Sequence, residues 1–353
     1  FQNYGGGTSF GHIILKYDNK SKLFSGYESA VSGQVSQTLF LNDFRFDEEA
    51  YDWIKTISSN VYKNYYKKTN WNSRKKPDNK INKETNILTN DWDIPNIDIE
   101  NNLDIITWNC EFFPTANDST IKALSEAVDD LNVDMIAFQE IKNRGWFGKL
   151  MDLLPQYDYI ISSQSSFMDQ AIIYKKDIFD LVNKIEIFSE NDYNFAGRPP
   201  LKADFINTST NTKFSIINLH MKCCDSGLYR RQQAAKMLYD YTVKNLNINE
   251  NLIILGDWND DLKDNEGEHC FDEFLNDDRF IFPTLDITYD ISKASYPKEP
   301  YVSFLDHILI TSSFLGRKDY IVNTIPMDEY MGSFQIYESF ISDHMPVYLS
   351  LPY

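Results

Sequence analysis

Several polar residues stand where a buried strand should end, and their types are those of acid–base and ion chemistry. Asn109 closes the apolar run 103–108, Glu140 closes 133–139, His220 closes 214–219, and Asp257 and Asn259 follow 251–255. Asp306 and His307 lie within the run that ends at Ile310, and Asp343 with His344 precede 346–351. Taken singly, an Asp or Asn beside a strand is a turn residue, and a lone histidine is a hydrogen-bonded structural one. Taken together they can do chemistry. Two imidazoles that titrate near neutral pH, with carboxylates to set their tautomer and charge, are suited to moving protons. Carboxylate and amide oxygens are the hard ligands that Mg²⁺ takes, one or two at a time.

The elements that must position these residues follow from periodicity. Residues 103–109, 133–139, 171–174, 202–205, 214–219, 251–255, 305–310 and 346–351 read as strands. Asp118 or Ser119 can cap a helix whose apolar Ile121, Leu124, Val128 and Leu131 share one face. A second, longer helix is expected over 228–246. Many strands with few helices between them predict an α/β sandwich with mixed sheets rather than a simple parallel sheet. Before residue 102 the pattern changes. A hairpin is expected around the turn Asp18-Asn19-Lys20-Ser21, and a helix over 46–62. Residues 63–83 hold eight basic side chains against the single acid Asp78, interleaved with Tyr65, Tyr66 and Trp71. Such a segment can be a solvated linker, or can track a phosphate backbone. The expected organisation is an N-terminal extension or small domain over 1–101 and a catalytic domain over 102–353.

The chain has 353 residues, 34 basic and 52 acidic, for a formal charge of −18 and a pI near 4.7. That balance excludes broad basic binding of a polyanion but not approach through a small, metal-neutralised cleft. No apolar run is long enough to span a bilayer, so stable membrane insertion is not expected. No protein partner is evident. The four cysteines, Cys110, Cys223, Cys224 and Cys270, lack the spacing of a zinc site. Side chains of adjacent cysteines diverge on an extended backbone, so Cys223 and Cys224 are not expected to bridge each other. One of them could reach Cys270, or all could remain thiols. The chain begins at Phe1 with no signal-peptide pattern in view.

The segments Ile106-Thr107-Trp108-Asn109, Ala137-Phe138-Gln139-Glu140-Ile141, Asn218-Leu219-His220, Leu255-Gly256-Asp257-Trp258-Asn259-Asp260, Phe304-Leu305-Asp306-His307 and Ile341-Ser342-Asp343-His344-Met345-Pro346 carry a family resemblance. In this order they resemble the signature set of the endonuclease/exonuclease/phosphatase superfamily, which includes deoxyribonuclease I. The resemblance covers about residues 102–353. It implies a four-layer α/β sandwich with two packed mixed sheets, and divalent-metal-dependent cleavage of a phosphate ester by in-line water attack. It implies Glu140, Asn109 and Asp343 around Mg²⁺, with Mn²⁺ or Ca²⁺ as alternatives. By the same likeness, His344 would activate water with Asp306 as its partner. His220 would donate to the leaving oxygen or stabilise the phosphorane, with Asp169 as its partner. Asp257 and Asn259 would orient the nucleophile and bind phosphate, and Asp257 is a rival for the base.

Substrate contacts are expected at Arg198 in Phe195-Ala196-Gly197-Arg198-Pro199, and at Lys142 and Phe167, where nuclease relatives meet the minor groove. Tyr229-Arg230-Arg231 reads as a solvated helix face and His307 as structural, while His12 and His269 carry no motif. The implied activity is an endonuclease acting on DNA, or on RNA. The alternatives are a phosphoinositide phosphatase, a sphingomyelinase-type phosphodiesterase, or an inactive binding module. The Cys-Asp-Arg of inositol phosphate relatives is missing near Leu305-Asp306-His307. Residues 330–340 are a weak counterpart of a membrane-contacting hairpin. An acidic hydrolase of this kind suits a secreted or periplasmic site.

Overall fold

The computed structural model describes residues 91–245, 251–314 and 320–352 in full, Leu315 by its backbone, and 2–3, 11–18, 23–29 and 35–40 as backbone strands. The chain divides into two units, residues 1–87 and 88–353. In the first, β1 (Gln2–Asn3), β2 (Gly11–Asp18), β3 (Leu23–Ser29) and β4 (Val35–Phe40) form one antiparallel sheet in that order. The expected hairpin is the β2–β3 pair, with Asp18 opposite Leu23. The helix expected over 46–62 and the basic segment 63–83 lie outside the described residues.

The second unit contains β5 (Asn102–Phe113), α1 (Asp118–Leu131), β6 (Met135–Ile141), α2 (Arg144–Leu153), β7 (Tyr157–Ile161), β8 (Asp169–Lys175), β9 (Phe179–Glu186), β10 (Leu201–Asn207) and β11 (Lys213–His220). It continues with α3 (Leu228–Asn245), β12 (Leu252–Asp257), α4 (Asp272–Leu275), β13 (Phe280–Ile281), β14 (Asp306–Thr311), β15 (Ile321–Thr324), α5 (Met327–Tyr330), α6 (Phe334–Phe340) and β16 (Val347–Pro352). Two six-stranded sheets result, ordered β15-β16-β5-β6-β8-β7 and β13-β14-β12-β11-β10-β9. In each, one central pair is parallel, β5 with β6 and β11 with β12, and the other pairs are antiparallel.

The period of two along each strand builds the layers. Leu103 and Ile105 of β5 face the other sheet and pack with Leu201, Ala203, Ile216, Ile253 and Ile308. Ile106, Trp108 and Cys110 face outward under α1 and α2, against Leu124, Val128, Phe147 and Leu150. Across the second sheet, Ile217, Leu219 and Ile254 lie under Ala234, Ala235 and Leu238 of α3. Each such fully buried aliphatic side chain contributes about 1.5–3 kcal/mol. Among the described residues no helix is long and apolar enough to cross a membrane.

Some expectations give way to local physics. Helix α1 starts at Asp118, after Asn117, whose side chain caps nothing; the hydroxyl of Thr120 instead accepts the backbone N–H of Ala116. Residues 330–340 form no hairpin. Tyr330 ends one short helix and 334–340 form another; Met331 between them and Tyr337 in the second are buried in the core. Residues 91–101 pack with the second unit: Ile94 is buried in its core and the Trp92 N–H donates to Glu126 at 2.7 Å.

Gly256 sits at φ +148°, and a Cβ there would lie 1.9 Å from the carbonyl oxygen of Leu219 on the neighbouring strand. Only glycine lets β12 run this close to β11 just before Asp257. Gly256→Ala is therefore expected to lower unfolding stability by about 3 kcal/mol or more, read by chemical denaturation. An unchanged midpoint would contradict this close-approach reading.

Candidate active site

The polar strand ends come together because the registers place them together. His220 pairs with Asp257 across the parallel β11–β12 ladder, and Asp257 pairs with Asp306 across β12–β14. In the other sheet Asn109 is in register with Gln139, and Glu140 follows at a bulge with φ +62°. That left-handed backbone is costly for a non-glycine residue and is a form of strain often found at functional sites. Beneath the site, Gln139 donates to Asn218 at 2.8 Å and to Thr107 at 3.1 Å, and Asn218 donates to the carbonyls of Phe138 and Ala171. All three side chains are buried, so this satisfied network locks one sheet onto the other.

The Asn109 amide donates to Asp257 Oδ2 at 2.9 Å and to Glu140 Oε1 at 3.3 Å, while its oxygen accepts the Glu111 N–H. Glu140 Oε2 accepts the Phe112 N–H at 2.9 Å. His220 Nε2 lies 3.5 Å from Asp257 and 3.8 Å from Glu140. On the other side, His344 Nδ1 is 2.8 Å from Asp306 Oδ2, and Asn259 contributes its N–H to Asp257 at 2.8 Å. Glu140, His220, Asp257, Asn259, Asp343 and His344 all line one cleft of about 720 Å³.

A family model of the Endonuclease/Exonuclease/phosphatase family matches residues 106–344. The chain belongs to this family. Solved structures share its fold. D. rerio TDP2 in complex with a single-strand DNA product aligns at TM-score 0.53 and 17% identity, covering 70% of this chain and 98% of that one. The human Nocturnin catalytic domain with a bound sulfate aligns at 0.51 and 14%, covering 72% and 95%. An endonuclease/exonuclease/phosphatase family protein from Bacteroides thetaiotaomicron aligns at 0.51 and 18%, covering 71% and 94%. No curated protein sequence matches the chain.

Charge is distributed unequally over the two imidazoles of this endonuclease/exonuclease/phosphatase fold. Burial, together with the nearby Arg198 and His344 cations, holds His220 well below the usual histidine value. Burial also acts against protonated His344, but Asp306, Asp257 and Asp343 outweigh it and push this imidazole up to about 10. Burial and the neighbouring Asp306 carry the Asp257 carboxyl up to about 7. His344 is thus the more basic of the two imidazoles and His220 the less basic.

The donor set fits a hard divalent ion. Asp257, Asp306 and His344 each offer a ligand atom within 4.8 Å of one another, and Asp306 Oδ1 is buried without a hydrogen-bond partner. Glu140 and Asp343 face the same cleft. Of the expected ligands, Asn109 bridges two carboxylates with its amide N–H groups, and its oxygen accepts the Glu111 N–H. Asp343 has one oxygen 3.3 Å from the Lys298 ammonium.

Other expectations are corrected. Asp169 does not reach His220: its carboxylate receives Arg144 at 2.6 and 3.0 Å and the Ser162 hydroxyl, and His220 Nδ1 is buried without a partner. Arg198 is no exposed phosphate ligand. It is buried and donates to the carbonyls of His220 and Met221, fixing the loop that carries the imidazole. Arg231 is not a solvated face; it is buried, forks onto Asp260 at 3.0 and 3.2 Å, and donates to the carbonyls of Lys222 and Cys224. His307 is structural as expected, held by Thr284 and the Asp260 carbonyl.

Lys142 and Phe167 are exposed, and they meet at a residue the sequence reading missed. The Lys142 ammonium lies 5.4 Å from the Phe112 ring, and Phe167 packs edge-on to the same ring at 6.5 Å. Phe112 is 46% exposed on the cleft wall. In sequence it looks like a core residue beside Phe113; only the left-handed backbone at Glu111 and Phe112 turns it outward. All four cysteines are thiols, with Cys270 buried beside Asp260 rather than paired.

Raised from the ordinary 6.5 to about 10, the His344 imidazole adds stability that is complete below pH 6.5 and lost as pH climbs through about 10. In chelator-treated protein, Asp306→Asn should lower the His344 titration seen by NMR by about 2 pH units. A titration that stays where it was would show that Asp306 does not hold the charge.

Proposed function

We propose that this chain is a divalent-metal-dependent phosphodiesterase that hydrolyses nucleic acid, DNA in the first place and RNA in the second. The observation that carries the reading is the convergence of Glu140, Asp257, Asn259, His220 and the Asp306–His344 pair on one cleft of a family that hydrolyses phosphate esters. The substrate assignment draws on the exposed Phe112, Phe167 and Lys142 at the rim, a surface on which bases stack and a cation meets phosphate. It draws also on the neighbouring D. rerio TDP2, which was solved with a single-strand DNA product.

Glu140 and Asp343, which both line the cleft, would hold Mg²⁺. The ion supplies neutralisation and polarisation of the phosphoryl group, which repels a nucleophile when bare. Asp257 is the group we assign as base: it is fixed by Asn109 and the Asn259 N–H, and its carboxyl prefers to hold a proton more than a solvated one does. The protonated His344, oriented by Asp306, faces the charge that gathers on the phosphoryl oxygens. Neutral His220 is positioned by Arg198 and donates or accepts near the same oxygens.

Purified protein with Mg²⁺ or Mn²⁺ is expected to nick plasmid DNA, and EDTA or His220→Ala to abolish nicking. A panel of duplex DNA, single strands, RNA, phosphoinositides and sphingomyelin tests the substrate class. Activity that survives EDTA, or that is confined to the lipid substrates, would overturn the proposal.

Phe112→Ala should raise KM about tenfold on nucleic acid with kcat nearly kept, as expected from losing one stacked base. An unaltered KM would remove Phe112 from the binding surface.

A further inference from the structure

The loop that leaves β11 carries two adjacent cysteines whose geometry departs from that of an extended chain. Cys224 has φ +71° and ψ 162°, a conformation that non-glycine residues seldom adopt. It turns the Cys224 side chain back toward its neighbour and brings the two Sγ atoms to 2.8 Å. The divergence expected of adjacent cysteines on an extended backbone is thereby removed. The backbone around them is held from beneath: Arg198 takes the carbonyls of His220 and Met221, and Arg231 takes those of Lys222 and Cys224. The pair is accessible, since Cys224 is exposed, Cys223 is partly so, and both line the cleft. The Lys222 ammonium stands 3.2 Å from Cys223 Sγ, where it favours the thiolate over the thiol. Cys110 and Cys270 are buried and share none of these features.

We infer that Cys223 and Cys224 are a redox-active vicinal dithiol that reacts with low-molecular-weight disulfides and closes into a reversible ring disulfide. The Cys223 thiolate attacks one sulfur of a disulfide such as oxidised glutathione, forming a mixed disulfide and releasing one glutathione thiolate. Cys224, already in contact, loses its proton to solvent and attacks the Cys223 sulfur, expelling the second glutathione. Two protein thiols become one disulfide, and the two electrons leave on two molecules of glutathione. A structural reading, in which the strained turn serves only to place Arg231, requires no reaction of this kind.

The test uses the whole purified chain, undenatured, incubated with oxidised glutathione, then unfolded, alkylated, digested and weighed by mass spectrometry. The peptide bearing Cys223 and Cys224 should be lighter by two hydrogens and take no alkyl group, and dithiothreitol should restore both alkylation sites. The peptides of Cys110 and Cys270 should take one alkyl group each. In Cys224→Ser the resolving thiol is lost, so glutathione should remain attached at Cys223. Full alkylation of both cysteines after glutathione treatment of the native protein, or ring closure only after unfolding, would overturn the inference. So would a stable glutathione adduct on the unmutated pair. These readouts measure sulfur chemistry alone, so their failure and a failure of phosphodiester hydrolysis are separate results.

Discussion

One amide holds the site together. Asn109 lies on β5 of one sheet and donates to Glu140 in its own sheet and to Asp257 in the other. Both acceptors are carboxylates in a low-dielectric seam, where an unpaired charge is costly and a charge-assisted hydrogen bond is correspondingly strong. The sheets cannot slide or separate at this end without orphaning one of them. The Thr107–Gln139–Asn218 network repeats the same constraint one layer deeper, again across the sheet interface. Apolar packing between the sheets supplies most of the stabilisation, but it is non-directional. The buried amides set the alignment that brings β5, β6, β11 and β12 to a common edge.

From that alignment the electrostatics follow. Four carboxylates, those of Glu140, Asp257, Asp306 and Asp343, gather around two imidazoles, and the acids are not equally shielded. Asp306 is fully buried and favours the cationic form of His344; Asp257, buried and facing Asp306, resists ionisation. Burial and the cations of Arg198, His344 and Lys222 disfavour a charge on His220. A site with this excess of negative oxygen is suited to a hard divalent ion. The net charge of −18 is therefore compatible with a polyanionic substrate, because approach to the cleft need not depend on a basic surface.

Much of this was legible in the sequence, for identifiable reasons. Strand interiors such as 103–109 and 214–219 are mostly apolar, and a buried strand that ends in Asn or His gains nothing unless the residue is used. The pairing of His344 with Asp306 was implied by the family likeness, and His307 was read as structural; the hydrogen bonds agree with both. The edges were harder. β7, β9 and β15 are half exposed and lack an apolar run, and β13 has only two residues. Arg198 and Arg231 looked like surface charges because nothing local shows that a guanidinium will be spent on backbone carbonyls 22 and 7 residues away. Asp169 was paired with His220 by likeness, yet Arg144 is a near and stronger partner. Phe112 and the cysteine turn depend on single left-handed residues, which composition does not reveal.

The central claim is that Glu140 and Asp343 hold one divalent ion in the cleft that also carries Asp257. Calorimetric titration of Mg²⁺ or Mn²⁺ into metal-free protein measures this directly, with wild type, Glu140→Gln and Asp343→Asn compared at matched folding. The account predicts saturable binding in wild type that both substitutions weaken at least about tenfold, consistent with the loss of a charged oxygen at or beside the ion. Binding that is unchanged in both variants would contradict it.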